Sequence, residues 1–113
     1  MHEMSLAEGI LRILEENSRS QGYARVKGVW LEIGRLSHVE PDALRFCFDA
    51  VTRDTLADGS KLEMIMVEGS GWCHDCGESV AIASHYDACP RCGGYRVEAT
   101  GGTEMRVKEL EVE

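Results

Sequence analysis

The spacing of apolar residues along the chain switches between helical and strand periods, and each switch marks an element. Leu6, Ile10, Ile13 and Leu14 recur at steps of four, three and one, with Glu8, Arg12, Glu15 and Glu16 mostly opposite. That spacing predicts an amphipathic helix. Ser5 and Glu8 form a capping-box pattern at its start. Residues 17–21 are expected to fray, with Gly22 as the stop. Residues 25–34 (RVKGVWLEIG) then take a period of two. Val29, Leu31 and Ile33 line one face of the predicted strand, and Trp30 shares the other with Val26.

The helical period returns after Pro41, which suits a first helical position. Leu44, Cys47, Phe48 and Val51 fall at offsets of three, four and seven. On that face Cys47 reads as a small buried hydrophobe, and no histidine is placed in sequence to act as its base. Residues 52–60, with Asp58-Gly59, read as a turn region. A second strand follows over residues 61–68 (KLEMIMVE), with Leu62, Met64 and Met66 on one face as core and Ile65 and Val67 on the other. The last strand spans residues 104–112. Met105 and Val107 share one parity and Leu110 and Val112 the other, so a bulge near Lys108 brings all four to one face. Charged residues at its remaining positions guard it as an edge. The pattern predicts an α/β fold: two helices on a small sheet of about three strands.

Residues 70–102 interrupt that pattern. Gly69-Ser70-Gly71 and Gly101-Gly102 bracket them as hinges, giving a main domain of residues 1–69 and 103–113 and an insertion of residues 70–102. The insertion holds two Cys-x-x-Cys pairs, Cys73/Cys76 and Cys89/Cys92, with twelve residues between them. Four thiolates meeting around one tetrahedral ion make a closed, zinc-ribbon-like structural site with no open position for substrate. Zn2+ is the favoured occupant; iron fits the same ligand set, and disulfides are a further alternative. Gly77 and Gly93 follow the second cysteine of each pair, where a tight turn needs positive φ. Residues 80–83 and 95–99 are candidate short strands, and Trp72 is expected against the metal-binding turn. His74 and His85 read as surface residues, because four cysteines already complete a zinc shell.

Charge and composition narrow the function. The formal charge is −8, and a zinc tetrathiolate makes it more negative by two. Such a surface repels phosphate backbones, and neither metal-binding turn carries a basic cluster, so nucleic-acid binding is disfavoured. No apolar run approaches the roughly twenty residues of a membrane span, and none resembles a signal segment. Five cysteines, four of them assigned as thiolates, suit a reducing cytoplasm. A zinc enzyme would need one of the four ligands to leave. A small acidic zinc-ribbon regulatory or protein-interaction module is the main alternative.

The chain opens Met1-His2-Glu3. A free α-amine on Met1, the His2 ring Nδ1 and neighbouring amide nitrogens can form small chelate rings around one ion. Planar nitrogen sets suit Ni2+ or Cu2+ rather than tetrahedral zinc. Taken alone, a histidine at position 2 is more often an accidental surface residue. The combination of MHE before a helix, VWLEIG, LRFCFDAVTR, the CxxC…CPxCG insert and a closing EMRVKELEVE resembles the HypA/HybF family over essentially the whole chain. Members of that family are nickel metallochaperones that help assemble [NiFe]-hydrogenase. The resemblance implies His2 as the main nickel ligand, assisted by the Met1 α-amine and by Glu3. It also implies a nickel-pathway GTPase and the hydrogenase large subunit as partners. Glu40 stands where some members carry an acidic residue near nickel; its plain reading is a solvated acid before the Pro41 helix. His38 reads as a solvated loop residue. The closing edge strand is a possible homodimer surface.

Overall fold

The structure is a computed structural model that describes residues 3–113, so Met1 and His2 lie outside the described residues. Two helices and six strands follow in the order α1 (Glu3–Gln21), β1 (Val26–Gly34), α2 (Pro41–Val51), β2 (Lys61–Val67), β3 (Gly69–Cys73), β4 (Glu78–Ile82), β5 (Val97–Gly101) and β6 (Met105–Val112). The strands form two three-stranded sheets, β2-β1-β6 and β4-β3-β5.

The first sheet is mixed. Arg25 and Glu113 exchange backbone hydrogen bonds at one end of β1, and the Gly34 N–H donates to Glu104 O at the other, so β6 runs antiparallel. Val26 N–H donates to Leu56 O just ahead of β2, and Arg35 N–H donates to Val67 O at its end, so β2 runs parallel to β1. A parallel pair needs a crossover, and α2 with the turn after it supplies one. Val29, Leu31 and Ile33 are buried on one parity as their period predicts. On the other, the Trp30 ring lies over Gly28, where an added Cβ would sit 2.9 Å from its Cζ3. Glycine at 28 leaves the room that lets this indole cover the strand.

Several expectations shift. Glu3 is already helical, so Ser5 lies inside the first turn and is not the cap. The far end does not fray: α1 stays regular to Gln21, and Gly22, at φ 78°, closes it through its N–H on Ser18 O. The buried stripe of α1 is Ala7, Ile10 and Leu14, while Ile13 is 51% exposed. Ile13 and Leu14 are 100° apart on a helix, so one of them must leave a narrow stripe. Met66 also lies near the surface, because β2 is an outer strand of its sheet. Cys47 is half-buried between buried Leu44 and Phe48. In β6 the half-buried positions change parity across exposed Lys108 and Glu109, from Met105 and Val107 to Leu110.

The glycines expected as hinges are paired backbone instead. Gly69, Ser70 and Gly71 open β3, the centre of the second sheet, opposite Ile82, Ala81 and Val80 of β4. On the other side Ser70 faces Gly101 and Gly71 faces Ala99, a register shift that leaves Thr100 as the extra residue. A Cβ on Gly71 would come within 2.6 Å of Val97 Cγ1, so glycine serves close packing here rather than bending. Trp72 alternates with buried Gly71 and Cys73 and is therefore turned to the open face, 40% exposed, away from the turn it was expected to cover.

The chain divides into two compact units. One comprises the residues up to Leu31, Val39–Met64 and Val107–Glu113; the other comprises Glu32–His38 and Ile65–Arg106. Among the described residues no helix is long and apolar enough to cross a membrane.

Candidate metal centre

The second sheet brings the four cysteines together. Cys73 ends β3 and Cys76 follows in the turn to β4, while Cys89 and Cys92 sit in the turn that precedes β5. Each pair is folded the same way. The Gly77 N–H donates to Cys73 O and the Gly93 N–H to Cys89 O, both at 2.8 Å, with φ of 67° and 73° at the two glycines. Within each turn an amide points at the first sulfur: Cys76 N–H at Cys73 Sγ and Arg91 N–H at Cys89 Sγ, both 3.4 Å. Backbone bonds from His74 to Arg96 O and from Cys89 to Gly94 O tie the turns to neighbouring backbone.

The four sulfurs lie within 4.8 Å of one another. Cys73 and Cys92 Sγ are 3.7 Å apart, and Cys76 and Cys89 Sγ are 3.9 Å apart. A tetrahedron with metal–sulfur bonds of about 2.3 Å has edges of about 3.8 Å. Cys73 and Cys89 are buried, Cys76 half-buried and Cys92 exposed. Thiols this close titrate against one another. Contacts with Cys92 and then Cys73 push Cys76 up to about 12, while the Cys92 backbone amide, then that of Arg91, holds Cys89 down to about 7. A divalent cation resolves the conflict, because it neutralises thiolates that otherwise repel. The donor set, spacing and closure all fit zinc, which would take all four sulfurs and supply structure rather than reactivity.

Around the cage, Arg96 pairs with Asp75 at 2.8 Å and Arg91 with Glu78. Both pairs are exposed, so they orient the turns more than they stabilise them. His74 is exposed and lies outside the cluster of four. His85 differs from its expected surface role: it is half-buried, its Nε2 is 2.9 Å from Leu36 O, and its ring stacks on His38. Nothing in the spacing of two histidines forty-seven residues apart announces that contact.

Of the residues expected at the chain start, Glu3 is described and half-buried in the first turn of α1. Its carboxylate accepts the Glu40 backbone N–H at 3.3 Å. Glu40 is the N-cap of α2, and its own side chain accepts from Asp42 N–H. The two acidic residues singled out in sequence, thirty-seven apart, are thus in contact.

Comparison with known proteins gives a consistent answer. The sequence profile of the family described as "HypA: Hydrogenase/urease nickel incorporation, metallochaperone, hypA" matches residues 1–112. The chain is 58% identical over 113 residues to the hydrogenase maturation factor HypA of Albidiferax ferrireducens, with 100% of both chains covered. It is 56% identical to the factor of the same name from Azotobacter vinelandii, again over 113 residues and 100% of both. The solution structure of the Ni metallochaperone HypA from Helicobacter pylori shares the fold, with a TM-score of 0.74 over 99% of this chain and 97% of that one, at 24% identity. Because the match runs from the first residue through both cysteine pairs, the chain belongs to the HypA family of nickel-incorporation metallochaperones.

Proposed function

We propose that the chain carries Ni2+ as cargo for hydrogenase maturation, binding it at Met1-His2-Glu3, while Cys73, Cys76, Cys89 and Cys92 hold Zn2+ for architecture. The observation that carries this reading is the full-length match, running from residue 1, to a nickel-incorporation family and to hydrogenase maturation factors. The closed cage supports it from the other side, since a site whose four positions are filled by sulfur has no place for an ion in transit. Residues 1–69 and 103–113 then serve the nickel task, and residues 70–102 the zinc task.

The chemistry separates the two ions. His2 is the main donor, with the Met1 α-amine and nearby amide nitrogens completing a planar set that discriminates against zinc by geometry. Glu3 contributes at the margin: its carboxylate is engaged by the Glu40 N–H, which favours a positioning role. A cargo site at a chain end has few fixed contacts to break on transfer. The recipient is the large subunit of a hydrogenase in the cytoplasm, reached with a nickel-pathway GTPase. Relatives named as hydrogenase maturation factors favour hydrogenase over urease. The edge strand β6 is the surface through which a second copy would pair.

Nickel titration of the untagged, zinc-loaded chain tests this reading. His2→Ala and a version lengthened by a few residues before Met1 are expected to lose the nickel equivalent held at the chain start while keeping their zinc. Nickel uptake equal to wild type in both variants would reject the N-terminal site.

A further inference from the structure

We propose that His38 and His85 form a second site for a divalent transition-metal ion, distinct from the sulfur cage and from the chain start. Both residues belong to the cysteine-bearing unit, His38 on the segment after β1 and His85 on the turn after β4. Their rings stack with centroids 5.2 Å apart and planes 19° from parallel.

The bond to Leu36 O prepares His85 for ligation. A carbonyl only accepts, so the 2.9 Å contact places the proton on Nε2 and leaves Nδ1 as a lone pair. A ligating histidine usually makes this same arrangement, giving its second N–H to a backbone carbonyl that fixes tautomer and ring orientation. The carbonyl is itself well placed, because the Leu36 N–H is bonded to Gly102 O at 2.8 Å. The turn that presents His85 is also fixed. Asp87 accepts from the Ser84 hydroxyl at 2.7 Å and from the Ala83 and Ser84 amides, and these bonds, the hydroxyl's first, lower its pKa.

His38 supplies the exposed half, and its ring is stacked on that of His85. Its backbone lies at φ 63°, a conformation uncommon for a residue with a side chain. Strain of this kind persists where something over-determines it. Here it sets the imidazole against its partner. Imidazole nitrogens sharing one ion at about 2.1 Å lie roughly 3 Å apart. Sharing an ion requires the exposed His38 ring to rotate out of the stack, with water completing the shell. Two neutral imidazoles favour ions such as Ni2+, Cu2+ or Zn2+ over oxygen-seeking Mg2+ or Ca2+.

Nickel chloride added to zinc-loaded full-length His2→Ala protein, followed through the imidazole carbon-bound protons by NMR, isolates this site from the N-terminal one. The His38 and His85 signals are expected to broaden together at nickel concentrations that leave exposed His74 sharp. His38→Asn tolerates the same backbone angle and should weaken broadening at His85 at least tenfold, with the cysteine-sheet amides unshifted. Broadening at His74 equal to that at His85, or unchanged broadening at His85 in His38→Asn, would overturn the proposal. Failure of the N-terminal reading would appear separately, as nickel uptake unaffected by His2→Ala.

Discussion

The helix-bearing unit and the cysteine-bearing unit are built from different core material. In the first, Ala7, Ile10, Leu14, Val29, Leu31, Leu44 and Phe48 are buried at 0–1% exposure, a core of hydrocarbon from two helices and a strand. In the second, the cluster consists of Leu36, Val80 and Ile82 with Cys73 and Cys89, and Cys76, Val97 and Ala99 packed against it. Sulfur fills positions that the first unit gives to leucine and phenylalanine. A short stretch with so few large aliphatics cannot bury enough surface to fix its own backbone, and a metal supplies the difference. A structural ion fits the cysteine-bearing unit, and under the proposed function the transient one falls to the other.

Replacing a zinc ligand should separate the units most sharply. Cys73→Ser removes the most deeply buried sulfur from a kind of site whose occupancy is worth about 10–16 kcal/mol. Zinc content should fall, and backbone protection should be lost across β3, β4 and β5, while the helical circular dichroism from α1 and α2 persists. Phe48→Ala is the converse. Truncating a buried phenylalanine costs about 3–5 kcal/mol. The urea midpoint of the helix-bearing unit should drop, and cobalt substituted at the four cysteines should keep its tetrahedral spectrum.

The smallest effect is a change of slope with pH. Cys76, raised to about 12, and Cys92, also raised, are protonated in the neutral range and must give up their protons to zinc. Apparent zinc affinity should therefore fall by at least about a hundredfold per pH unit as acidity rises. Cys89, lowered to about 7, is a thiolate above that pH and adds one more proton below it, so the slope should steepen as pH falls through 7. Competition with a chromophoric chelator between pH 8 and 6 measures the slope. A constant slope would place the acidic thiol elsewhere.

Local pattern carried most of the fold in the helix-bearing unit. A period of two put Val29, Leu31 and Ile33 inside, and a helical period did the same for Leu44 and Phe48. It was less informative where two apolar neighbours competed for one narrow stripe, as at Ile13. In the cysteine-bearing unit the metal ligands were plain from their spacing, yet β3 was hidden. Its Gly69, Ser70 and Gly71 carry no β-branched side chain, and their pairing depends on strands that come later in the chain. The Glu3–Glu40 and His38–His85 contacts were also out of reach, because each joins residues far apart in sequence through backbone geometry.

Stripping zinc from the wild-type chain with a chelator, then reading amide hydrogen exchange residue by residue with nickel added, tests this division most directly. The account predicts that amides of β3, β4 and β5 lose protection, that α1 and α2 keep theirs, and that nickel still binds at His2. Uniform loss in both units, or full protection of β3 to β5 after the metal has gone, would contradict it.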